Sequence, residues 1–135
     1  MRKLILLNVI ILFLSTINST AQEKLKDTLF FKLDGKYVFE SEYDQNFYLL
    51  EDSSDIGRGT FLFEKIKVEK SKHPREILCL KKYVQSSKYY NRHKTVKLND
   101  YKLWEHFVIY TIYLVKKNKI TTEYIQVYPT VQRVV

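Results

Sequence analysis

Phe107-Val108-Ile109-Tyr110-Thr111-Ile112-Tyr113-Leu114-Val115 is the most apolar run of the chain beyond its N-terminal segment, and its reading decides the fold. Successive side chains of a strand point to opposite faces. Here both faces are apolar: Phe107, Ile109, Tyr113 and Val115 on one, Val108, Tyr110, Ile112 and Leu114 on the other. A buried helix would show the same composition. The shortness of the run and its β-branched and aromatic content favour a central strand, and nine residues are too few for a membrane-spanning helix. Lys116-Lys117-Asn118-Lys119 follows as a polar turn, and 120–128 returns as the second arm of a hairpin. Pro129 ends that arm or marks a bulge, leaving 130–135 as a tail or a short edge strand.

Upstream the pattern is extended nearly throughout. Residues 60–69 read as a strand with Leu62, Ile66 and Val68 inward and Phe61, Phe63, Lys65 and Lys67 outward; Glu64 interrupts the inward face. Two runs, 27–33 and 36–40, flank Asp34-Gly35 and read as a hairpin. A third short run spans 47–50, followed by a polar loop at 51–59 that holds two of the three glycines. Residues 70–75 form a turn around Pro74, and 76–84 is expected to be the next strand. The polar, basic stretch 85–97 reads as a loop. Asn99 then caps a short helix, with Leu98 and Leu103 placed as a hydrophobic staple. The expected fold is mainly β: an antiparallel sheet of six to eight strands curled as a barrel or a two-layer sandwich, with one short helix near 99–106. A flat sheet covered by that helix is the competing arrangement.

The chain has 135 residues, 28% charged and 45% hydrophobic, which is a globular balance and not that of a disordered chain. Three Gly, two Pro and one Cys exclude collagen-like repeats and an intramolecular disulfide framework. Arg2 and Lys3 precede an apolar run at 4–14, and small and polar residues follow up to Ala21. That is the layout of a secretory leader, with the cut expected between Ala21 and Gln22. The ending Thr20-Ala21-Gln22 resembles the signal peptides of exported Bacteroidetes proteins. The resemblance implies export to the periplasm, the cell surface or the medium, and implies no fold or activity. Residues 22–135 are then expected to fold as one domain, large enough to bury a core without staples. In an oxidising compartment the lone Cys79 is expected to be an inert core residue.

Charge is divided along the chain. Residues 22–64 hold 5 basic and 10 acidic side chains, whereas 65–135 hold 16 basic and 5 acidic. Solvated, partly cross-paired strand faces account for such a division. The sharper reading is a patch for an anionic partner, because Lys88-Tyr89-Tyr90-Asn91-Arg92-His93-Lys94 interleaves cations with aromatic rings. Lys81, Lys88, Tyr89, Tyr90, Arg92 and Lys94 form this candidate patch. The expected partner is an anionic envelope component, a lipid headgroup or an acidic glycan; export argues against nucleic acid.

Motifs for catalysis are sparse. The chain has no Gly-x-Ser-x-Gly nucleophile elbow, and Gly57-Arg58-Gly59 lacks the third glycine of a dinucleotide loop. Residues 52–57 begin like a calcium loop, but Ile56 and Phe63 stand where ligands are required. His73, His93 and His106 have no metal-ligand spacing, so no metal or cofactor is expected. Glu40 and Glu42 would share one strand face about 7 Å apart, a pair that a hydrolase could use. Tyr110, Tyr113, Tyr124 and Tyr128 could line the cavity of a small-ligand carrier. A non-enzymatic binding or envelope protein is the leading expectation, with the carrier and the hydrolase as alternatives.

Overall fold

The computed structural model describes residues 27–54 and 59–132. The expected leader and its cut, the centre of the polar loop at 55–58 and the end of the tail at 133–135 lie outside the described residues. The elements are β1 (Thr28–Lys32), β2 (Val38–Glu40), β3 (Phe47–Leu50), β4 (Thr60–Glu69), α1 (Leu80–Gln85), α2 (Asp100–Phe107), β5 (Thr111–Lys117) and β6 (Thr122–Gln132).

All six strands join one sheet in the order β1-β5-β6-β4-β3-β2, curled as a half-barrel. The expected hairpin is present, with its turn at 118–121 in place of the expected 116–119: β5 and β6 pair antiparallel from Lys117↔Thr122 to Ile112↔Val127, and the Asn118 amide donates to the Thr121 carbonyl. β6 also pairs antiparallel with β4 along the whole of β4.

Two features depart from an all-antiparallel meander. β1 runs parallel to β5, from Thr28↔Thr111 to Lys32↔Val115, so the sheet is mixed. The Asp34-Gly35 turn also does not join hairpin partners: β1 lies at one edge of the sheet and β2 at the other. Six strands laid flat would separate those edges by about 24 Å. The five connecting residues 33–37 reach about 20 Å fully extended, and they are not extended. Gly35 takes a positive φ of 75°, and Asp34 Oδ1 accepts hydrogen bonds from the Lys36, Tyr37 and Val38 amides. The short tether therefore enforces the curl.

The helices fill the concave side. Phe107 of α2 lies against Phe31 of β1 and Phe61 and Phe63 of β4, with ring centroids 5.6–5.8 Å apart, and Tyr83 of α1 stacks on it at 5.7 Å. Leu80, Val84, Leu98 and Leu103 complete this core with Ile112, Leu114, Ile125 and Val127 of the central hairpin. The inward face of β4 is thus the Phe61 and Phe63 face, the reverse of the expected orientation. The alternation also fails further along: between Lys65 and Lys67 the register with β6 slips, leaving Ile66 unmatched and 53% exposed, with Val68 44% exposed.

Residues 76–84 are not a strand. Leu78 alone bridges to Phe31, exchanging backbone hydrogen bonds with Phe30 and Lys32 and covering the outer edge of β1. The chain then turns into α1, whose Leu80 and Val84, four residues apart, are both buried. Cys79, expected in the core, is exposed at this junction as the α1 N-cap position. The helix after Asn99 is present. The Asn99 side chain accepts from the Lys102 amide at 3.2 Å, and Leu98 and Leu103 are both buried. α2 runs on through Phe107, so β5 begins only at Thr111, four residues later than the apolar run suggests.

Candidate functional site

Between α1 and α2 the basic stretch folds into a small hairpin of its own. Tyr90 bridges Leu98, the Asn91 amide donates to the Lys97 carbonyl at 2.8 Å, and the Asn99 amide donates to the Tyr89 carbonyl at 2.9 Å. Ser87 steadies its start: its hydroxyl donates to the Val84 carbonyl at 2.6 Å and accepts from the Tyr89 amide. At the tip the Asn91 side chain accepts from the His93 amide. The framework is local and short-range, and residues 91–97 all project into solvent.

This hairpin and the first turns of α2 border an open hollow of about 980 Å³. Lys88, Tyr89, Tyr90, Arg92 and Lys94 all line it, so five of the six residues of the expected patch share one concavity. Lys81 stands apart, exposed on α1. The hollow gathers Lys97 and Lys102 as well, together with Asn91, Asn99, Tyr101 and Glu105. Lys97 and Lys102 carry no motif of their own in the sequence; the bridge of Tyr90 to Leu98 and the start of α2 bring them in. Glu105 is partly answered by Lys102, whose Nζ lies 3.4 Å from Oε2.

The floor is pinned by Asp100. Its buried carboxylate accepts from the Ser54 amide at 3.2 Å, the Ser54 hydroxyl at 2.7 Å and the Phe61 amide at 2.9 Å. Those bonds tie the loop before β4 to the start of α2. Nothing in the sequence pattern around Asp100 marks it, because its partners lie 39 and 46 residues away.

Behind Tyr89 sits His106, ringed by Tyr83, Tyr89, Phe107 and Tyr110 at 5.4–5.8 Å. Its Nε2 is 2.7 Å from the Tyr83 hydroxyl. Burial lowers the pKa of His106 below its usual 6.5, and the charge of Lys88 lowers it further. Burial likewise raises the Tyr83 hydroxyl, so at neutral pH a protonated tyrosine and an uncharged imidazole share this hydrogen bond.

Alongside the hollow, Tyr101, Trp104 and Tyr128 border a second, shallow depression of about 370 Å³ with Pro129, Thr130 and Val131. Tyr101 and Val131 line both depressions. Trp104 is held in place by its Nε1, which donates to the Pro129 carbonyl at 3.2 Å, and its ring centroid lies 5.4 Å from that of Tyr101.

The other sequence candidates do not assemble. β2 ends at Glu40, so Glu42 lies in the following turn and the two exposed carboxylates do not share a strand face. The four tyrosines of the carrier reading are dispersed. Tyr113 and Tyr124 pack on Phe30 at the convex face, with Lys72 over Tyr113; Tyr110 borders His106, and Tyr128 is exposed. Among the described residues no group of three or more His, Cys, Asp or Glu side chains is arranged to hold a metal ion.

Comparison of the chain with protein-family models, with curated proteins and with solved structures finds no significant match.

Proposed function

We propose that this is an exported, non-enzymatic binding protein of the cell envelope, and that the hollow between α1 and α2 receives an anionic ligand. The observation that carries the reading is the convergence of Lys88, Arg92, Lys94, Lys97 and Lys102 on one concave surface with Tyr89 and Tyr90. On a flat face such cations would be screened singly by salt. Around a hollow with protein walls their fields add, raising the local concentration of an anion and the rate at which it arrives. The leader-like N-terminal sequence supports an envelope location for the partner, an acidic glycan or a lipid headgroup.

The test is retention of the protein on immobilised acidic polysaccharide and on phosphatidylglycerol vesicles across a salt series. Binding that weakens steeply with salt, and falls at least about tenfold in the exposed-site triple variant K88Q/R92Q/K94Q, is the expected result. Salt-insensitive retention, or the same retention in the variant and the parent, overturns the proposal.

A further inference from the structure

Resting on that reading, we propose that the anionic ligand is a uronate-bearing oligosaccharide, seated with a carboxylate in the basic hollow and a neighbouring sugar ring on the Tyr101–Trp104–Tyr128 shelf. Three observations carry the step from anion to acidic sugar.

The first is the shelf itself. Tyr101 and Tyr128 are 49% and 47% exposed, large rings left in solvent directly beside a polar hollow. Trp104 backs them and is fixed by its bond to the Pro129 carbonyl. An aromatic face carries negative charge and attracts the weakly positive C–H face of a sugar ring. Because Tyr101 borders both depressions, a single chain of sugars can occupy them together.

The second is the mixture of polar groups. Polyphosphate offers almost only acceptors, so a site for it gains nothing from a carboxylate, which repels it. Sugar hydroxyls both donate and accept. The hollow offers donors from its lysines and from Asn91 and Asn99, whose side-chain carbonyls already accept from backbone amides. Glu105, whose Oε2 faces Lys102 Nζ at 3.4 Å, keeps its other oxygen as an acceptor in the same concavity.

The third is shape. Binding to a bilayer scales with the apolar area buried in it as well as with attraction to anionic lipids. Here the cations surround a concavity, and the aromatic rings beside it border a second depression. Two adjoining open depressions suit a polymer segment laid along both of them.

Trp104 is the only tryptophan in the chain, so its emission reports on the shelf directly. The experiment titrates the protein with galacturonate, glucuronate and mannuronate oligosaccharides, with their methyl esters, with polyphosphate of equal charge and with phosphatidylglycerol vesicles, by calorimetry and Trp104 fluorescence. At least one uronate series is expected to bind with a change in Trp104 emission and to lose about tenfold or more on esterification. Tyr128→Ala, whose ring borders the shelf and not the basic hollow, is expected to weaken that series three- to tenfold while leaving polyphosphate unchanged, about what one aromatic contact contributes. The Tyr128 ring is exposed, so the variant does not threaten the fold.

Polyphosphate or vesicles binding more tightly than all three uronates, with no effect of Tyr128→Ala, overturns the sugar assignment and leaves anion binding standing. Absence of binding to every anionic probe overturns both.

Discussion

At the scale of single residues, Asp100 and His106 couple the site to the fold. Asp100 satisfies two amides and a hydroxyl from one buried carboxylate. Asp100→Ala strands the Phe61 amide at the edge of the core, so it should cost about 3 kcal/mol, read as a lower urea midpoint with an unchanged slope. His106 makes stability depend on pH. Its folded pKa lies below the usual 6.5, so between those two values the unfolded chain binds more protons than the folded one. The stabilisation is full above about pH 6.5 and is lost as pH falls through the folded pKa. His106→Gln keeps a partner for the Tyr83 hydroxyl and removes the titration. Denaturation midpoints compared at pH 7.5 and pH 5 should therefore fall less in the variant than in the parent.

At the scale of elements, the segments that depart from expectation do so for packing reasons. Residues 76–84 alternate well enough for a strand, but Leu80 and Val84 are also four apart, the spacing of one helix face. The sheet needs a lid over Phe31 and Phe107, and Tyr83 supplies it only from a helix. Beyond the slip at Ile66, Lys67 and Glu69 share one strand face and form an ion pair at 3.0 Å, which Lys72 joins at 3.2 Å. α2 is the element most nearly self-specified, with its cap and staple in sequence order. Asn99→Ala should cost about 1 kcal/mol in thermal or urea unfolding, with α2 still formed by circular dichroism because Leu103 and Phe107 remain buried.

At the scale of the whole molecule, order should follow the sheet. β6 is paired on both sides at 124–127, by β5 and by β4, whereas β2 is a three-residue edge strand. Amide exchange should be slowest at residues 112–115 and 124–127, and fastest in β2 and the 91–97 tip; protection of β2 equal to that of β6 would contradict this topology.

Local chemistry by itself determined much of this protein. The β class, the β5–β6 hairpin, the Asn99 cap and the interleaving of cations with tyrosines between 88 and 94 are all written in neighbouring residues, where alternation, capping and charge act over a few positions. Tertiary structure alone decided the parallel pairing of β1 with β5, the inward face of β4, the exposure of Cys79 and the joining of Lys97 and Lys102 to the hollow. Each of these depends on contacts between segments distant in sequence. No local pattern encodes them, because the free energy that selects them comes from closing one shared core beneath a curled sheet.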